Sequence, residues 1–315
     1  MSGYSHGGNI ESYARRWRCD TTDILDLSTG LNPKGAPDFL PQWLKDNANL
    51  VTHYPDTDAE PARSAIAQDM GVDPSSVWIC AGAQEAIEVI FSAMQWKSVA
   101  IMHPCYTEPI RCANRAHCHV KLFQFGETYP ESEALWLTSP HNPCGRESSF
   151  PKDRKGVLDE SYMPFSQRRK IGLLPDVIRI GSLTKTFCIP GIRLAYIIAS
   201  PEQINRVRVW LPPWPASTFA LHLLAKLLPL ADEHDAFVNQ ARERMLSTLK
   251  EHQWQSIESN ASFVLAKPKE NRIPNFSIQR IMVRTFPEWP QLHGWYRLGL
   301  FAGERNWGRF NAALC

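Results

Sequence analysis

Short apolar runs alternate with amphipathic segments along the chain from about Val77 onward. The run VWICAGA predicts a strand, and the segment QEAIEVIFSAM after it places its apolar residues between Ala86 and Met94 on one helical face. Further strands are predicted at SVAIMHP, HVKLFQF, ALWLTSP, KGVLDES, DVIRIGS and IRLAYIIAS. Such continuous apolar runs are typical of buried parallel strands, whose carboxyl ends carry the functional residues of α/β proteins.

The pattern changes in the C-terminal third, which predicts a second and smaller domain. Pro201 to Leu230 has a helical pattern interrupted at LPPWP, and DEHDAFVNQARERMLSTLKEH predicts a longer amphipathic helix. Beyond it, strands are expected at SFVLAK, RIMVRT and WYRLGL, followed by a helix from about Glu304. The predicted organisation is an N-terminal arm at residues 1–34, a large domain at 35–239 and a small α+β domain at 240–315.

Composition limits the classes of partner. With 315 residues and 43% hydrophobic content, the chain is long enough for one large domain and a smaller one. The net charge is +2 without a long basic run, so we expect no nucleic-acid partner. No apolar run reaches the roughly 18 residues that a membrane span needs. The N-terminal segment MSGYSHGGNIESYARRW lacks the apolar core of a secretory signal.

The eight cysteines show no paired C-x-x-C spacing, which favours a reduced, cytoplasmic setting. The densest group of metal-ligand residues is RCANRAHCH, with Cys112, His117, Cys118 and His119. A zinc site would need a second, distant pair of ligands. Ordinary packing is therefore the favoured interpretation, and no metal site is predicted.

The segment IRIGSLTKTFCIPGIRLAY places Ser182, Lys185 and Arg193 between two apolar runs, and it predicts that Lys185 ends a strand and precedes a Pro-Gly turn. Lysine and arginine are rarely buried unless they meet an anion. A desolvated lysine can lose its charge and form a Schiff base, and a nearby guanidinium and hydroxyl suit a phosphate monoester. By itself, the segment also fits a surface lysine with an arginine at a strand edge.

Other predicted strand ends carry polar and aromatic residues. In CAGAQEA, Gly82 lies at a strand-to-helix turn, where the backbone N–H groups of Ala83 and Gln84 would bind an anion. The remaining residues of this kind are Tyr106 in HPCYTEP, Asn142 in SPHNPCGR, and Asp159 with Tyr162 in VLDESY. An Asp at a strand end is usually a cap or an ion-pair partner, so the order of these motifs matters more than any one of them.

From Gly82 to Arg193 the motifs follow in the order glycine turn, aromatic residue, Asn-Pro, Asp-x-x-Tyr, Ser-x-x-Lys and Arg. In this order the chain resembles the fold type I pyridoxal-phosphate enzymes, which share the aspartate-aminotransferase fold. The resemblance implies an α/β fold, with a large cofactor-binding domain built on a mostly parallel central sheet flanked by helices and a small α+β C-terminal domain. It also implies pyridoxal 5′-phosphate as the cofactor, whose phosphate would be the anion near Arg193.

The resemblance further implies roles for single residues. Lys185 would be the Schiff-base lysine, and Asp159 would keep the pyridine nitrogen protonated so that the ring can absorb electrons. The other implied cofactor contacts are Asn142 and Tyr162 at the ring oxygen, Tyr106 on the ring face, Ala83, Gln84, Ser182 and Arg193 at the phosphate, and Tyr54 of HYPDTD at the phosphate of a neighbouring subunit. The last contact implies a homodimer with shared sites. The implied catalytic residues are Lys185, Asp159 and Tyr106.

Within this fold, the start HGGN, the segment LDLSTGLNPKGAP and the later LPPWPAS resemble the threonine-phosphate decarboxylases of cobalamin biosynthesis. The implied reaction is decarboxylation of L-threonine O-3-phosphate to 1-amino-2-propanol O-2-phosphate. The implied substrate contacts are His6, Gly7, Gly30, Asn142, Arg284 and Arg297. Arg297 would take the carboxylate, and Arg284 with His6 the phosphate. The alternative interpretation of Arg284 is a solvated strand residue.

The chain also departs from the family pattern. The segments 125–135 and 146–158 are short, and His141, Cys144 and Cys188 replace commoner residues. An aminotransferase of the histidinol-phosphate type therefore stays open, because it shares the fold, the cofactor and both arginines. A non-catalytic regulator built on this fold is disfavoured, because about thirty residues precede the fold and a helix-turn-helix domain needs more.

Overall fold

The computed structural model describes residues 6–214, 216–269 and 273–314, so Pro215 of the LPPWPAS segment lies outside the described residues. The helices are α1 Ile10–Trp17, α2 Leu40–Asp46, α3 Ala62–Met70, α4 Ala83–Met94, α5 Glu108–Arg115, α6 Phe165–Ile171, α7 Leu183–Thr186, α8 Pro201–Arg208, α9 Thr218–Leu227, α10 Ala231–Glu251 and α11 Glu304–Leu314. The strands are β1 Leu25–Asp26, β2 Val77–Cys80, β3 Ser98–Met102, β4 His119–Phe123, β5 Ala134–Thr138, β6 Gly156–Asp159, β7 Val177–Ser182, β8 Ala195–Ile198, β9 Gln255–Ser256, β10 Phe263–Lys267, β11 Ile281–Met282 and β12 Tyr296–Gly299.

These elements form two compact units. The large unit comprises residues 36–142 and 147–235, and the described part of the small unit comprises residues 6–35, 143–146 and 236–314. The N-terminal segment therefore belongs to the same unit as the C-terminal region. No helix in the described part of the chain is both long and apolar enough to span a membrane.

The large unit is built on a seven-stranded sheet in the order β2-β8-β7-β6-β5-β3-β4. Each neighbouring pair in this sheet is parallel except the two pairs that involve β8, which is antiparallel to both β2 and β7. Because β8 runs in the opposite direction, its amino end lies at the edge where the parallel strands end. The residues just before β8, including Arg193, therefore reach the same edge as the carboxyl ends of β2 and β7.

Helices cover both faces of this sheet, which explains the continuous apolar runs in the sequence. Successive side chains of a strand point to opposite faces. In β8, Ile197 packs in the cluster that contains Ile90 of α4, whereas Tyr196 and Ile198 pack in the cluster that contains Leu224 of α9. These residues are all 0–1% exposed, and burial of each such aliphatic side chain contributes about 1.5–3 kcal/mol.

A fully buried ion pair joins β6 and β7. Nε and Nη2 of Arg179 each donate to the Glu160 carboxylate at 3.0 Å, and the Tyr196 hydroxyl donates to the same carboxylate at 2.9 Å. A Cβ at Gly181 would lie 2.0 Å from the Tyr196 ring, so this position has room for glycine alone. Because the charges are paired in a bidentate manner, the interior tolerates them, whereas removal of one partner would leave an uncompensated charge.

The small unit has two small sheets. β10 pairs with β12 and β9 in an antiparallel sheet, and β1 pairs with β11 in parallel. Its core includes Met245 of α10, Val264 of β10, Leu298 of β12 and Phe310 of α11, each fully buried. Of the strand predicted at RIMVRT, only Ile281–Met282 forms a strand, β11. Beyond it, Arg284 forms a single antiparallel bridge with Arg297.

The connection from β5 to β6 contains no helix in this structure, in which residues 139–155 are all described. The sequence indicated this departure, because the segment between Gly145 and Asp159 is close to the ~10–12 residues that a parallel crossover needs. The connection from β4 to β5 is likewise without a helix. The short segments at 125–135 and 146–158 are thus loops up to the points where β5 and β6 begin.

Candidate active site

The register of the large sheet aligns the strand ends that carry the candidate residues. Thr138 at the end of β5 pairs with Asp159 at the end of β6. Across the antiparallel strand, Ala195 pairs with both Ser182 at the end of β7 and Cys80 at the end of β2. Five strands therefore place their site-bearing ends along one edge of the sheet, which is where α/β proteins bind ligands.

The candidate lysine lies one turn beyond the sheet. The sequence predicts that Lys185 ends a strand, but β7 ends at Ser182 and Lys185 lies in the one-turn helix α7. The difference arises because the chain must turn away from the edge before it can return as β8. Lys185 is half-buried, and its Nζ lies 4.8 Å from the centroid of the Tyr162 ring. The turn thus brings two of the predicted cofactor contacts together.

Gly82 and Arg193 form a site suited to an anion. Gly82 has a φ of +88° and precedes Ala83, the first residue of α4. A Cβ at Gly82 would lie 2.4 Å from Nη2 of Arg193 and 2.9 Å from Cζ, so the guanidinium packs directly on the glycine. The first N–H groups of a helix have no acceptor within the helix and favour negative charge. A guanidinium beside such an N-terminus is an arrangement that binds phosphate.

Tyr106, Gln84 and Glu108 are connected by hydrogen bonds beside this helix start. The Tyr106 hydroxyl donates to Oε1 of Gln84 at 3.2 Å, and Nε2 of Gln84 donates to Oε2 of Glu108 at 3.0 Å. Burial raises the pKa of the Tyr106 hydroxyl, and the nearby Glu108, Tyr162 and Asp159 raise it further. Tyr106 is therefore a neutral aromatic side chain close to both Asp159 and Tyr162.

Asp159 and Asn142 are both buried, at 6% and 7% exposure. Oδ1 of Asp159 accepts a hydrogen bond of 3.0 Å from the backbone N–H of Ser161. Beside Asn142, burial lowers the pKa of His141 to about 4, so this imidazole is neutral at physiological pH. The Asp159 carboxylate thus occupies a buried strand end, where it accepts a hydrogen bond from the backbone.

Arg168 holds two of these segments together from within the core. Its guanidinium donates to the carbonyl oxygens of Ser161 (3.2 Å) and Ser182 (3.3 Å), and to Oγ1 of Thr186 (3.3 Å). It therefore ties the loop after β6 to the turn α7. The sequence analysis missed Arg168, because nothing in SQRRK distinguishes a buried arginine from its exposed neighbours.

Tyr54 differs from the other predicted cofactor contacts. It is 78% exposed, and its ring stacks on Trp214 with a centroid separation of 4.5 Å. An exposed stacked pair of large aromatic side chains is a feature that protein interfaces often cover. The contact of Tyr54 with a neighbouring subunit stays a prediction.

In the small unit, the glycines of HGGN pack against Ser28. A Cβ at Gly7 would lie 2.3 Å from the Ser28 carbonyl oxygen, and Gly8 has a φ of +86°. The Gly8 N–H donates to Oγ of Ser28 at 2.9 Å, while Ser28 itself donates to Oδ1 of Asp26. Glycine is therefore required at position 7 because the Ser28 carbonyl leaves no room for a Cβ, and favoured at position 8 because of the positive φ. Both contacts with Ser28 fix the backbone next to His6. His6 itself is exposed.

Ser28 also connects this segment to Arg297. Nη2 of Arg297 donates to the Ser28 carbonyl oxygen at 2.5 Å, and its guanidinium lies 4.9 Å from the Phe263 ring centroid. Gly30, two residues further, has a φ of +65°, and its carbonyl oxygen accepts from Oγ of Ser262 at 2.6 Å. The sequence analysis missed Ser28, although it lies within the quoted LDLSTG.

Arg284 and Arg297 are neighbours in the small unit. Their backbones exchange two hydrogen bonds, of 3.3 Å and 2.9 Å, as a directly opposed antiparallel pair. Side chains of such a pair lie on the same face. Arg284 forms an ion pair with Glu288 and lies 5.1 Å from the Phe286 ring centroid. It is about 10% exposed, so the interpretation of Arg284 as a solvated strand residue is wrong.

Both cysteines of the RCANRAHCH segment lie in the interior. Cys112 and Cys118 are buried in the apolar core that contains α4 and α5, and burial raises the pKa of each thiol to about 11. Among the described residues, no group of three or more His, Cys, Asp or Glu side chains could hold a metal ion.

Comparison with known proteins gives a consistent result. The model of the aminotransferase class I and II family matches residues 22–272. The threonine-phosphate decarboxylase of Salmonella typhimurium is 27% identical over 98% of this chain and 95% of its own length. The histidinol-phosphate aminotransferase of Natronomonas pharaonis is 27% identical over 83% of this chain and 82% of its own length. At equal identity, these two relatives do not separate the two reactions.

A solved structure extends the comparison to the fold. The histidinol-phosphate aminotransferase from Sinorhizobium meliloti, determined in complex with pyridoxal-5'-phosphate, superposes with a TM-score of 0.84 at 16% identity. The match covers 100% of this chain and 98% of that chain. A likeness at this identity shows the fold, and the predicted fold class is confirmed.

Proposed function

We propose that this chain, which belongs to the aminotransferase class I and II family, decarboxylates L-threonine O-3-phosphate to 1-amino-2-propanol O-2-phosphate. Its cofactor is pyridoxal 5′-phosphate, and it is either a decarboxylase or an aminotransferase. The observation that carries the finer proposal is in the small unit, where Arg284 and Arg297 lie side by side near the His6–Gly7–Gly8 segment. Two adjacent guanidinium groups suit a substrate with two anionic ends.

The residues of the large unit fit the cofactor. Gly82 lets the Arg193 guanidinium pack against the start of α4, where the first N–H groups of the helix would bind the same phosphate. Lys185 provides the amine that holds an aldehyde, and Asp159 provides a buried carboxylate for the pyridine nitrogen. The other predicted contacts are Ala83, Gln84, Tyr106, Asn142, Tyr162 and Ser182. Tyr54 would contact the phosphate bound by a second copy of the chain, in a homodimer.

When bound, the cofactor would supply a sink for the electrons left at Cα when a bond to that carbon breaks. The residues of the chain would decide which bond breaks. Arg297 would bind the substrate carboxylate, and Arg284 with His6 would bind the phosphate of the side chain. With both ends held, the carboxylate would be the group positioned for release as carbon dioxide. Nζ of Lys185 would then deliver the proton that takes its place at Cα.

An aminotransferase of the histidinol-phosphate type is the second candidate. It is supported by the same two arginines, because Arg284 and Arg297 would bind equally well a phosphorylated substrate that loses its Cα proton instead of its carboxylate. The two reactions differ in what they need and release. A decarboxylase releases carbon dioxide without a keto-acid acceptor, whereas an aminotransferase requires the acceptor and releases none.

The test is incubation of the cofactor-loaded enzyme with phosphothreonine and no keto acid. We expect carbon dioxide to form, and unphosphorylated threonine to react far more slowly, because each lost charge-assisted hydrogen bond costs about 1.5–3 kcal/mol. Arg284→Ala should narrow the gap in kcat/KM between the two substrates, since it affects the phosphorylated one alone. Arg297→Ala should weaken both.

Two results would contradict this proposal. Amino transfer that depends on a keto acid and releases no carbon dioxide would assign the aminotransferase reaction. An Arg284→Ala variant that weakens threonine and phosphothreonine equally would remove the phosphate role of Arg284.

The phosphate-binding role of Gly82 gives a separate prediction. Gly82→Ala places a methyl group 2.4 Å from Nη2 of Arg193 and strains a backbone with φ of +88°, so we expect the affinity for pyridoxal phosphate to fall at least about tenfold. The measurement is equilibrium titration of the apoprotein with cofactor. Gly191→Ala is the matched control, because no atom lies within 4 Å of its Cβ position. Equal cofactor affinity in both variants would argue against the site.

A further inference from the structure

Glu288 lies beside Arg284 in the small unit, and neither the family pattern nor the proposed reaction assigns it a role. Its carboxylate is paired with Nη2 of Arg284, four residues earlier in RTFPEW. Both side chains are about 10% exposed. Oε2 of Glu288 is buried and has no hydrogen-bond partner among the described residues of the small unit. A carboxylate oxygen in this state is costly to bury, which singles out Glu288 from the exposed carboxylates of this unit.

The charges around Arg284 are unevenly balanced. Burial lowers the pKa of the Arg284 guanidinium, Glu288 raises it, and Arg297 lowers it. The other titratable group that acts on Arg284 is Tyr13 of α1. Arg284 nevertheless stays protonated, because a guanidinium is not deprotonated in proteins. Arg284 therefore already has a counterion, the Glu288 carboxylate.

A substrate anion must therefore compete for Arg284. The Phe286 ring lies on the guanidinium at 5.1 Å and limits where it can move. A phosphate that approaches Arg284 meets the Glu288 carboxylate as well, and like charges at contact distance repel strongly in a partly buried site. A phosphate dianion gains more from two guanidinium groups than a singly charged group does, so it has the greater ability to displace Glu288.

We propose that Glu288 is a positioning residue that acts through Arg284: it occupies the guanidinium until the doubly charged phosphate of a substrate side chain displaces it. The inference rests on the proposed function, since that function makes Arg284 a substrate contact. Glu288 weakens the binding of every anion at Arg284, and of a phosphate dianion most, because the repulsion grows with the charge of the anion. It also aids release of the phosphorylated product, because the carboxylate returns to Arg284 as the phosphate leaves.

The experiment compares two probes that have no amine and therefore cannot react, propyl phosphate and butanoate. Their dissociation constants are measured by calorimetry on the cofactor-loaded enzyme, which keeps the cofactor phosphate site filled. Glu288→Gln should bind propyl phosphate at least about tenfold more tightly than the native enzyme does, because repulsion is lost and Arg284 is released. The gain for butanoate should be smaller.

Controls separate this effect from general electrostatics and from misfolding. Glu304→Gln removes the same charge from an exposed ion pair with Arg244 in the same unit, and should leave both constants unchanged. Glu288→Ser removes the charge without introducing an amide, and it should also bind propyl phosphate more tightly than the native enzyme does. Thermal unfolding should show that Glu288→Gln and Glu288→Ser are both folded. Adding Arg284→Ala to Glu288→Gln should abolish the gain.

The outcomes distinguish this inference from the proposed function. Tighter propyl phosphate binding in Glu288→Gln, in an enzyme that does not decarboxylate phosphothreonine, would support Glu288 and reject the reaction. Unchanged or weaker binding in Glu288→Gln, in an enzyme that does release carbon dioxide, would overturn the role of Glu288 and leave the reaction in place.

Discussion

Lys185→Ala is expected to abolish turnover while the protein still binds pyridoxal phosphate. In the proposed function the lysine would both hold the cofactor aldehyde and carry the proton to Cα, so we expect kcat to fall about 10⁴-fold. Gly82 and Arg193 remain in the variant, and the phosphate should therefore still bind. The measurements are turnover, cofactor binding by dialysis, and loss of the visible absorbance band of the covalently held cofactor.

Borohydride reduction followed by peptide mapping checks the assignment of the lysine directly. In the native enzyme the reduced label should lie on Lys185. Lys170→Ala is the matched control, because Lys170 is an exposed lysine on α6, and this variant should keep its label, its absorbance band and its rate. A label on any other lysine would contradict the central assignment.

Asp159→Asn is expected to give a folded protein with a kcat lower by about 10²–10³-fold, the usual effect of removing one preorganised electrostatic contact. The amide is nearly the same size as the carboxylate, and its oxygen can still accept the 3.0 Å hydrogen bond from the Ser161 N–H. What it cannot do is hold a proton on the pyridine nitrogen by charge. The measurements are steady-state rates and thermal unfolding.

Asp153→Asn is the control for this change. Asp153 is exposed in the loop before β6, and its variant should retain the native rate. If Asp159→Asn turned over at a near-normal rate, Asp159 would not be the residue that creates the electron sink.

Much of the large unit could be predicted from the sequence because its strands are buried on both faces. Buried parallel strands leave continuous apolar runs, and the polar residues that interrupt them, such as Asp159 and Ser182, mark their carboxyl ends. The order of those interruptions was enough to identify the family and the cofactor, both of which the comparisons confirm.

The direction of β8 could not be predicted in the same way. IRLAYIIAS is as continuously apolar as its neighbours, so its pattern contains no sign that it runs antiparallel. The position of Arg193 beside Gly82 follows from that direction. The predicted role of Arg193 as a phosphate contact came from the resemblance to a family, because periodicity could not indicate it.

The surroundings of the small-unit arginines were less predictable, because they depend on tertiary contacts. Ser28 lies 269 residues before Arg297 in the sequence, and nothing local indicates that its carbonyl oxygen accepts from that guanidinium. The pair of Arg284 and Glu288 does have a local signal, their spacing of four residues. That spacing indicates a pair only in a helix, and this segment is not helical, so the contact becomes visible only in the structure.

The placement of β8 between β2 and β7 also determines when a phosphate-binding site can exist during folding. Gly82 and Arg193 are 111 positions apart in the chain (193 minus 82), yet the guanidinium packs on the glycine. Closing such a long loop has an entropic cost that must be met before the contact forms. A nascent or partly unfolded chain consequently lacks this contact, and in the proposed function the cofactor would bind only to a completed sheet. Its binding energy would then stabilise the native state as a whole rather than any early intermediate.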